Sequence, residues 1–160
     1  MLKKRIIPLL NLYNNKLVKS SQFKNHRNVG NLINSVRVYN SQYADEIVIV
    51  NIDPNKNAKE IFEKKLEEIS KVCFMPLTVG GGIKTFEDIS FLIRNGADKV
   101  LINSLFFSNL DLIKKTVDSF GSQSLVACID FRLIDNNYVL FTNNGRNKQA
   151  MTIFEQISIC

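Results

Sequence analysis

The chain has no long apolar run, no cysteines at metal-ligand spacing and one histidine. The N-terminal apolar stretch, Ile6 to Leu10, is short and holds Pro8, so no signal peptide is expected. No segment approaches the roughly 20 residues that cross a bilayer. The expectation is a cytoplasmic protein without a membrane partner. Cys73, Cys128 and Cys160 are scattered, which excludes the paired spacings of zinc centres, and no metal or cofactor is expected. Cys73 and Cys128 lie in apolar runs and are expected to be buried thiols. His26 stands in the polar segment Lys24-Asn-His-Arg27 and is read as a loop residue rather than a catalytic base.

Lys and Arg outnumber Asp and Glu by 21 to 15, giving a net charge of +6. The cations are dispersed and form no block interleaved with aromatics, so nucleic acid is not an expected partner. Two readings of the excess stand: a solvated basic surface, or attraction of an anionic, phosphorylated ligand. A length of 160 residues allows one domain with a substantial core.

Glycine is sparse, seven residues in all, and three of them stand together in Leu77-Thr-Val-Gly-Gly-Gly-Ile-Lys84. Glycines at the end of a strand let a backbone approach a ligand closely, and their N–H groups can cradle a phosphate. Thr85 and Asp88 follow as a helix start. The same layout, an apolar strand ending in polar residues, recurs at Lys99-Val-Leu-Ile-Asn-Ser104 and Leu125-Val-Ala-Cys-Ile-Asp130.

The remaining pattern alternates strands and helices. Strands are expected over Arg5–Asn11, Glu46–Asn51, Phe74–Val79, Lys99–Asn103 and Leu125–Asp130, with a short returning strand at Leu17–Lys19. Helices are marked by Leu32, Val36 and Tyr39, then by Ile61, Leu66, Ile69 and Val72. Phe86, Ile89, Leu92 and Ile93 mark the next, before Asn95-Gly96. Leu110, Ile113 and Val117 mark another, before Gly121. Asn28–Asn31 and Asp53–Asn57 read as loops. Arg132–Thr142 reads as a hairpin turning at Asp135 to Asn137. A last helix near Lys148 carries Met151, Phe154 and Ile157 on one face.

Four strand-helix units and the start of a fifth imply an α/β protein with a parallel sheet, either a barrel or doubly wound. A complete (βα)8 barrel needs about 250 residues. Residues 1–160 are therefore expected to form a single partial domain, cut in mid-helix at its C-terminus.

Strand parity separates two tiers. Arg5, Glu46 and Lys99 stand at strand starts. Asn11, Asn51, Gly80 to Gly82, Asn103 and Asp130 stand at or near strand ends. In a barrel the first set rings the base and the second the top. Inward charges at a base are costly unless paired, so the lower tier is either a salt-bridge plug or a charged gate over a channel. The upper tier is either polar strand caps or a phosphate and substrate site. Asp130 is the candidate general acid or base, and Asn11, an amide, does not titrate. Five strands would also leave strands one and five as open edges and expose Ile7, Leu9, Val48, Val50 and Leu101.

At these residues the chain resembles the cyclase subunit of imidazole glycerol phosphate synthase (HisF), a TIM (βα)8-barrel family. The likeness runs from Leu2 to about Phe154. It is carried by Lys4-Arg-Ile-Ile-Pro8, Leu17-Val-Lys19, Thr78-Val-Gly-Gly-Gly-Ile83, Gly96-Ala-Asp-Lys-Val100, Ile102-Asn103, Phe120-Gly-Ser-Gln123 and Ile129-Asp130. It implies a partial barrel of about five units and a glutaminase partner docked at the base. Ammonia would pass through the barrel to a phosphorylated substrate at the top.

By the same resemblance Arg5, Glu46 and Lys99 match three residues of a four-residue ammonia gate. Gly81, Gly82, Asn103 and Ser104 match a phosphate site, with Ser104 where threonine is usual. Lys19 matches a substrate-contacting loop lysine, and Asp130 one of two catalytic aspartates. The other aspartate position holds Asn11, and an aspartate near the end of strand two is replaced by Asn51. Pro8-Leu-Leu-Asn-Leu12 and Val72-Cys-Phe-Met-Pro76 are similar to a paralogous branch. That branch is associated with acetamidino modification of surface-polysaccharide sugars and works with a sugar amidotransferase. Three expectations follow: an ammonia-receiving subunit of that branch, a true cyclase (a lyase) of histidine biosynthesis, or a non-catalytic scaffold.

Overall fold

The computed structural model describes residues 4–21, 24–55 and 58–159. Chain order begins with a meander: β1 (Leu9–Tyr13), β2 (Lys16–Ser21) and β3 (Lys24–Gly30). Asn14 and Asn15 both take positive φ (46° and 59°) and turn β1 into β2, as a two-residue hairpin requires. The βα rhythm follows with α1 (Leu32–Ser41), β4 (Ile47–Asn51), α2 (Ala58–Ser70), β5 (Leu77–Gly80), α3 (Phe86–Arg94) and β6 (Lys99–Ile102). After these come α4 (Leu105–Ser108), α5 (Leu110–Phe120) and β7 (Leu125–Ala127). A separate sheet, β8 (Asp130–Ile134), β9 (Asn137–Thr142) and β10 (Asn147–Lys148), precedes α6 (Ile153–Ile159).

The main sheet runs β3-β2-β1-β4-β5-β6-β7. From β1 through β7 its neighbours are parallel. These five parallel strands are the expected partial barrel. The register places Leu9, Val48, Thr78 and Lys99 side by side, with Asn11, Val50, Gly80 and Leu101 in the next row. The opposite face carries Leu10, Leu12, Ile47, Ile49, Leu77, Val79, Val100 and Ile102, all buried under the helices. Leu32 and Val36 of α1, Phe62, Leu66 and Ile69 of α2, and Ile89 and Leu92 of α3 complete that core. Leu105, Phe106 and Ile113 pack on Ile102 at its far end.

Helix starts are fixed locally. Asn31 accepts from the Asn34 N–H at 3.1 Å, and Asn109 from the Leu112 N–H at 3.0 Å. Thr85 and Asp88 form the expected capping box, with Asp88 Oδ2 accepting from the N–H groups of both Lys84 and Thr85. Each such cap satisfies backbone donors that a helix start leaves open. Gly121, at φ 83°, ends α5 as expected.

Several expectations are corrected. The first strand begins at Leu9, because Pro8 has no N–H to offer a ladder. The segment before it is instead tied by Ile6 N–H to Asp45 Oδ2 (2.8 Å) and Asp45 N–H to the Ile6 carbonyl (3.3 Å). The polar stretch holding His26 is not a loop but strand β3, and most of Asn28–Asn31 belongs to it. Strand one is thus not an edge, since the β2–β3 hairpin covers it. The outermost strand, β3, is rich in Lys, Asn and Arg, the kind of sequence that discourages edge pairing. Asp130 does not end the fifth strand but opens β8.

The hairpin turn is as expected, with Asp135 and Asn136 at φ 48° and 61°. Val72 lies beyond α2, and Lys148 lies in β10 rather than in a helix. Cys73 and Cys128 are half-buried. Leu2, Lys56, Asn57, Cys160 and the Ile61 side chain lie outside the described residues.

The inner face of the sheet is open at one side. Ile7 is 39% and Leu9 53% exposed, although Leu101 is buried. Phe154 and Ile157 of α6 also face solvent. Apolar surface left in water costs about 25 cal/mol per Å². The 160-residue chain alone is expected to self-associate at micromolar concentration, as read by sedimentation velocity. A compact monomer that unfolds cooperatively and binds no hydrophobic dye would contradict this.

Candidate functional site

At the base of the sheet, Glu46 is buried with 4% of its surface exposed. It stands just before β4, so its carboxylate falls on the inner face, two residues ahead of Val48. Lys99 Nζ, opening β6, lies 3.0 and 2.8 Å from its two oxygens. Thr78 Oγ1, on the strand between, donates at 2.6 Å. Arg5 approaches from the N-terminal segment at 3.5 Å and stays largely exposed. Burial by itself pushes the Glu46 carboxyl up. The hydrogen bonds from Lys99 and Thr78 and the charges of Lys99 and Arg5 outweigh it and hold the group below the usual carboxylate range.

The structure thus brings Arg5, Glu46 and Lys99 together. Parity does not carry Arg5 there, since it precedes β1; the exchange between Ile6 and Asp45 does. Thr78 is the member that sequence reasoning gave no role. It sits in register with Lys99 on the same face, which is the signal that could have found it.

At the opposite end of the same strands stand the glycines. A Cβ at Gly81, whose φ is +105°, would lie 1.9 Å from the Asn51 carbonyl oxygen. One at Gly80 would lie 2.7 Å from the Leu101 carbonyl oxygen. Both glycines are therefore demanded by neighbouring backbone. Gly82, at φ +70°, faces open space and is exposed. Ser104 is exposed and its hydroxyl makes no capping bond.

Asn103 Nδ2 donates to Asp130 Oδ2 at 3.0 Å, joining the end of β6 to the start of β8. Asn103 Oδ1 is buried without a hydrogen-bond partner among the described residues. Burial pushes the Asp130 carboxyl up, and the Asn103 amide only partly offsets it. The Cys128 thiol is pushed up by burial and then by the Asp130 charge, and Cys73 mainly by burial. Raised thiols are poor nucleophiles.

Asn11 is half-buried on β1, beside Val18 and Val50. Three strands separate β1 from β7, and no hydrogen bond joins Asn11 to Asp130 among the described residues. Asn51 Oδ1 accepts from the Asp53 N–H. Lys19 is exposed on β2, paired with Arg27, and no hydrogen bond or ion pair joins it to the glycine turn among the described residues. His26 stacks on Tyr13 with ring centroids 4.0 Å apart. Among the described residues no group of His, Cys, Asp or Glu is arranged to hold a metal ion. No described helix is long and apolar enough to cross a membrane.

The family described as histidine biosynthesis protein matches residues 5–159. The chain belongs to that family. Among its relatives are HisF proteins. A Campylobacter jejuni protein provisionally named imidazole glycerol phosphate synthase subunit hisF2 is 45% identical over 141 residues, covering 88% of this chain and 56% of that one. Imidazole glycerol phosphate synthase subunit HisF of an Exiguobacterium species is 36% identical, covering 97% of this chain and 61% of its own. A Vibrio vulnificus protein provisionally named subunit hisF3 is 37% identical, covering 97% and 60%. The chain spans about three fifths of the length of these HisF relatives.

Two measurements check the site. Lys99→Met leaves the Glu46 carboxylate buried with the Thr78 hydroxyl and, as its one remaining cation among the described residues, Arg5. It is expected to cost about 3 kcal/mol, the low end of what breaking a buried pair costs, because Arg5 remains near. A carboxyl held below its ordinary 4.5 contributes stability above that pH and loses it as pH falls through the folded value. Denaturant titrations at neutral and acid pH should therefore differ less for Lys99→Met than for the parent.

Asp130 should titrate above its ordinary 3.8 by carboxyl-carbon NMR, and Asn103→Leu should move it higher still. Because folding raises this value, its ionisation costs stability as pH rises through it. A value at or below 3.8 would contradict the assignment.

Proposed function

We propose that this chain forms the ammonia-receiving part of a HisF-type subunit, with its gate at the base and its chemistry at the top of the parallel strands. The observation that carries the reading is the Glu46 carboxylate held by Lys99, Thr78 and Arg5 on the inner face. A buried charge cluster at the entrance to the sheet suits a gate that a docked glutaminase subunit would open. At the other end, Gly82 and Ser104 offer donors to a phosphate, and the unpartnered Asn103 Oδ1 offers an acceptor to a hydroxyl or amine of the same ligand. Lys19 on its hairpin would reach the same ligand on closure. Asp130, with its raised carboxyl, would move the proton.

The reaction favoured is amidination of a surface-polysaccharide sugar, with the amidine passed to a sugar amidotransferase. Asn11 supports it over imidazole ring closure, because an amide cannot exchange a proton where the cyclase chemistry would use an aspartate. The reading that the chain is a cyclase of histidine biosynthesis draws on the family description and on the relatives, whose names all give an imidazole glycerol phosphate synthase subunit.

With ammonium chloride and the ribonucleotide substrate of imidazole glycerol phosphate synthase, the chain is expected to form no measurable imidazole product. Loss of one positioned proton-transfer group costs roughly 10²–10⁴-fold in rate. Steady turnover abolished by Asp130→Asn would favour the cyclase instead. A HisF-partner glutaminase should co-sediment with the chain and lose affinity on Arg5→Glu. Undiminished binding to that variant would remove the base as the docking face.

A further inference from the structure

A cleft of about 460 Å³ opens at the carboxyl end of β1 and β4, away from the glycine turn. None of Gly81, Gly82, Asn103, Ser104 or Asp130 lines it. Its walls come from the β2–β3 hairpin, the loop after β4 and the turn after β9. Its volume falls within the range of small-molecule sites.

The lining is one-sided in charge. Lys24, Arg132 and Arg146 all face it, and no carboxylate lines it. None of the three has an ion-pair partner among the described residues. Arg132 is held in place, with Nη2 donating to the Gly145 carbonyl at 3.2 Å and its guanidinium 4.5 Å over the Phe141 ring. A guanidinium so fixed loses little freedom on meeting an anion. Asn144 Nδ2 donates to the Ile52 carbonyl at 3.2 Å and so clasps the β9 turn to the β4 loop.

One wall is aromatic. Tyr13 and His26 are stacked at 24° between planes, and both line the cleft. His26 Nδ1 is buried without a hydrogen-bond partner among the described residues. A flat ring wall, an unused ring nitrogen and three unpaired cations together match a ligand with a planar base, a hydroxylated sugar and more than one phosphate.

We propose that this cleft binds a nucleoside diphosphate, with the base on the Tyr13–His26 wall and the pyrophosphate on Arg132, Arg146 and Lys24. A single phosphate carries about −1.5 to −2 charges at neutral pH, so three cations exceed its need and suit a diphosphate. The site goes beyond the proposed function, since it uses no residue of the glycine turn or the base.

Equilibrium dialysis of the full chain against radiolabelled ADP, with pyrophosphate as the second probe, tests this whatever the state of association. ADP should be retained, and less so as salt is raised. Arg146→Glu, an exposed position, should weaken ADP and pyrophosphate alike by at least roughly tenfold. His26→Leu and Tyr13→Leu should each weaken ADP by about tenfold and leave pyrophosphate unchanged. His26 lies on the edge hairpin, so its variant reads the wall even where Tyr13→Leu disturbs β1. No retention of ADP, retention indifferent to Arg146→Glu, or equal affinity for ADP and pyrophosphate would each overturn the proposal. Loss of ADP binding on Asn103→Ala with none on Arg146→Glu would move the ligand to the glycine turn and leave the proposed function standing.

Discussion

The buried carboxylate of Glu46 is the constraint to which the rest of the sheet is fitted. It takes hydrogen bonds from β5 and β6 and faces the N-terminal segment, so three separate parts of the chain meet on one charge. A buried carboxylate is tolerable only when its oxygens are occupied. Slipping β6 by one residue against β5 would turn Lys99 to the helix-covered face and leave Glu46 without its main partner. Apolar rows alone discriminate weakly between registers here, because the strands are apolar on both faces over most of their length. The charge cluster therefore specifies what hydrophobic burial leaves degenerate.

Two backbone exchanges reinforce that register at the same end. Asp98 Oδ2 accepts from the Leu77 N–H at 2.7 Å, while the Asp98 N–H donates to the Leu77 carbonyl at 2.9 Å. The Ile6 and Asp45 exchange does the same for the N-terminal segment. Each links an aspartate just ahead of one strand to the neighbouring segment through its carboxylate and its own backbone amide. These aspartates look like ordinary loop residues in the sequence. Gly96, two residues before Asp98, is explained in turn by Ser70, whose Cβ would lie 2.7 Å from a Cβ at that position.

What the sequence made legible follows from where periodicity operates. The parallel strands and the amphipathic helices were readable because burial forces their apolar residues into fixed spacings. Strand β3 was not, since an edge strand exposed along most of its length needs no apolar alternation and looks like a polar loop. The break between β7 and β8 was hidden because Leu125–Asp130 is apolar without interruption until its last residue, although the ladder ends at Ala127 and a single further bond, Cys128 N–H to the Ile102 carbonyl, extends it. The base cluster was legible from parity in two of its three charges. The cleft was not, because Tyr13, His26, Arg132 and Arg146 are brought together only by the folding of two hairpins that are distant in sequence.

The upper tier contains an asymmetry that chemistry makes consequential. Asp130 is a titratable group whose neutral form is favoured by burial, and Asn103 holds its orientation. Asn11, at the end of the first parallel strand, offers a donor and an acceptor but no proton to exchange. In the proposed reaction, addition of ammonia to an electrophilic carbon would leave a proton to be removed from nitrogen, and departure of a leaving group would require a proton to be supplied. Two carboxyls can divide those tasks. One must perform them in turn, first as base and then as acid, which is feasible only if its affinity for the proton is neither very low nor very high. A carboxyl raised by burial and moderated by an amide donor meets that condition better than a solvent-exposed aspartate, which would hold its charge and fail as an acid. Under the proposed function, the Asn103–Asp130 pair is therefore the part of the upper tier that would carry the proton chemistry.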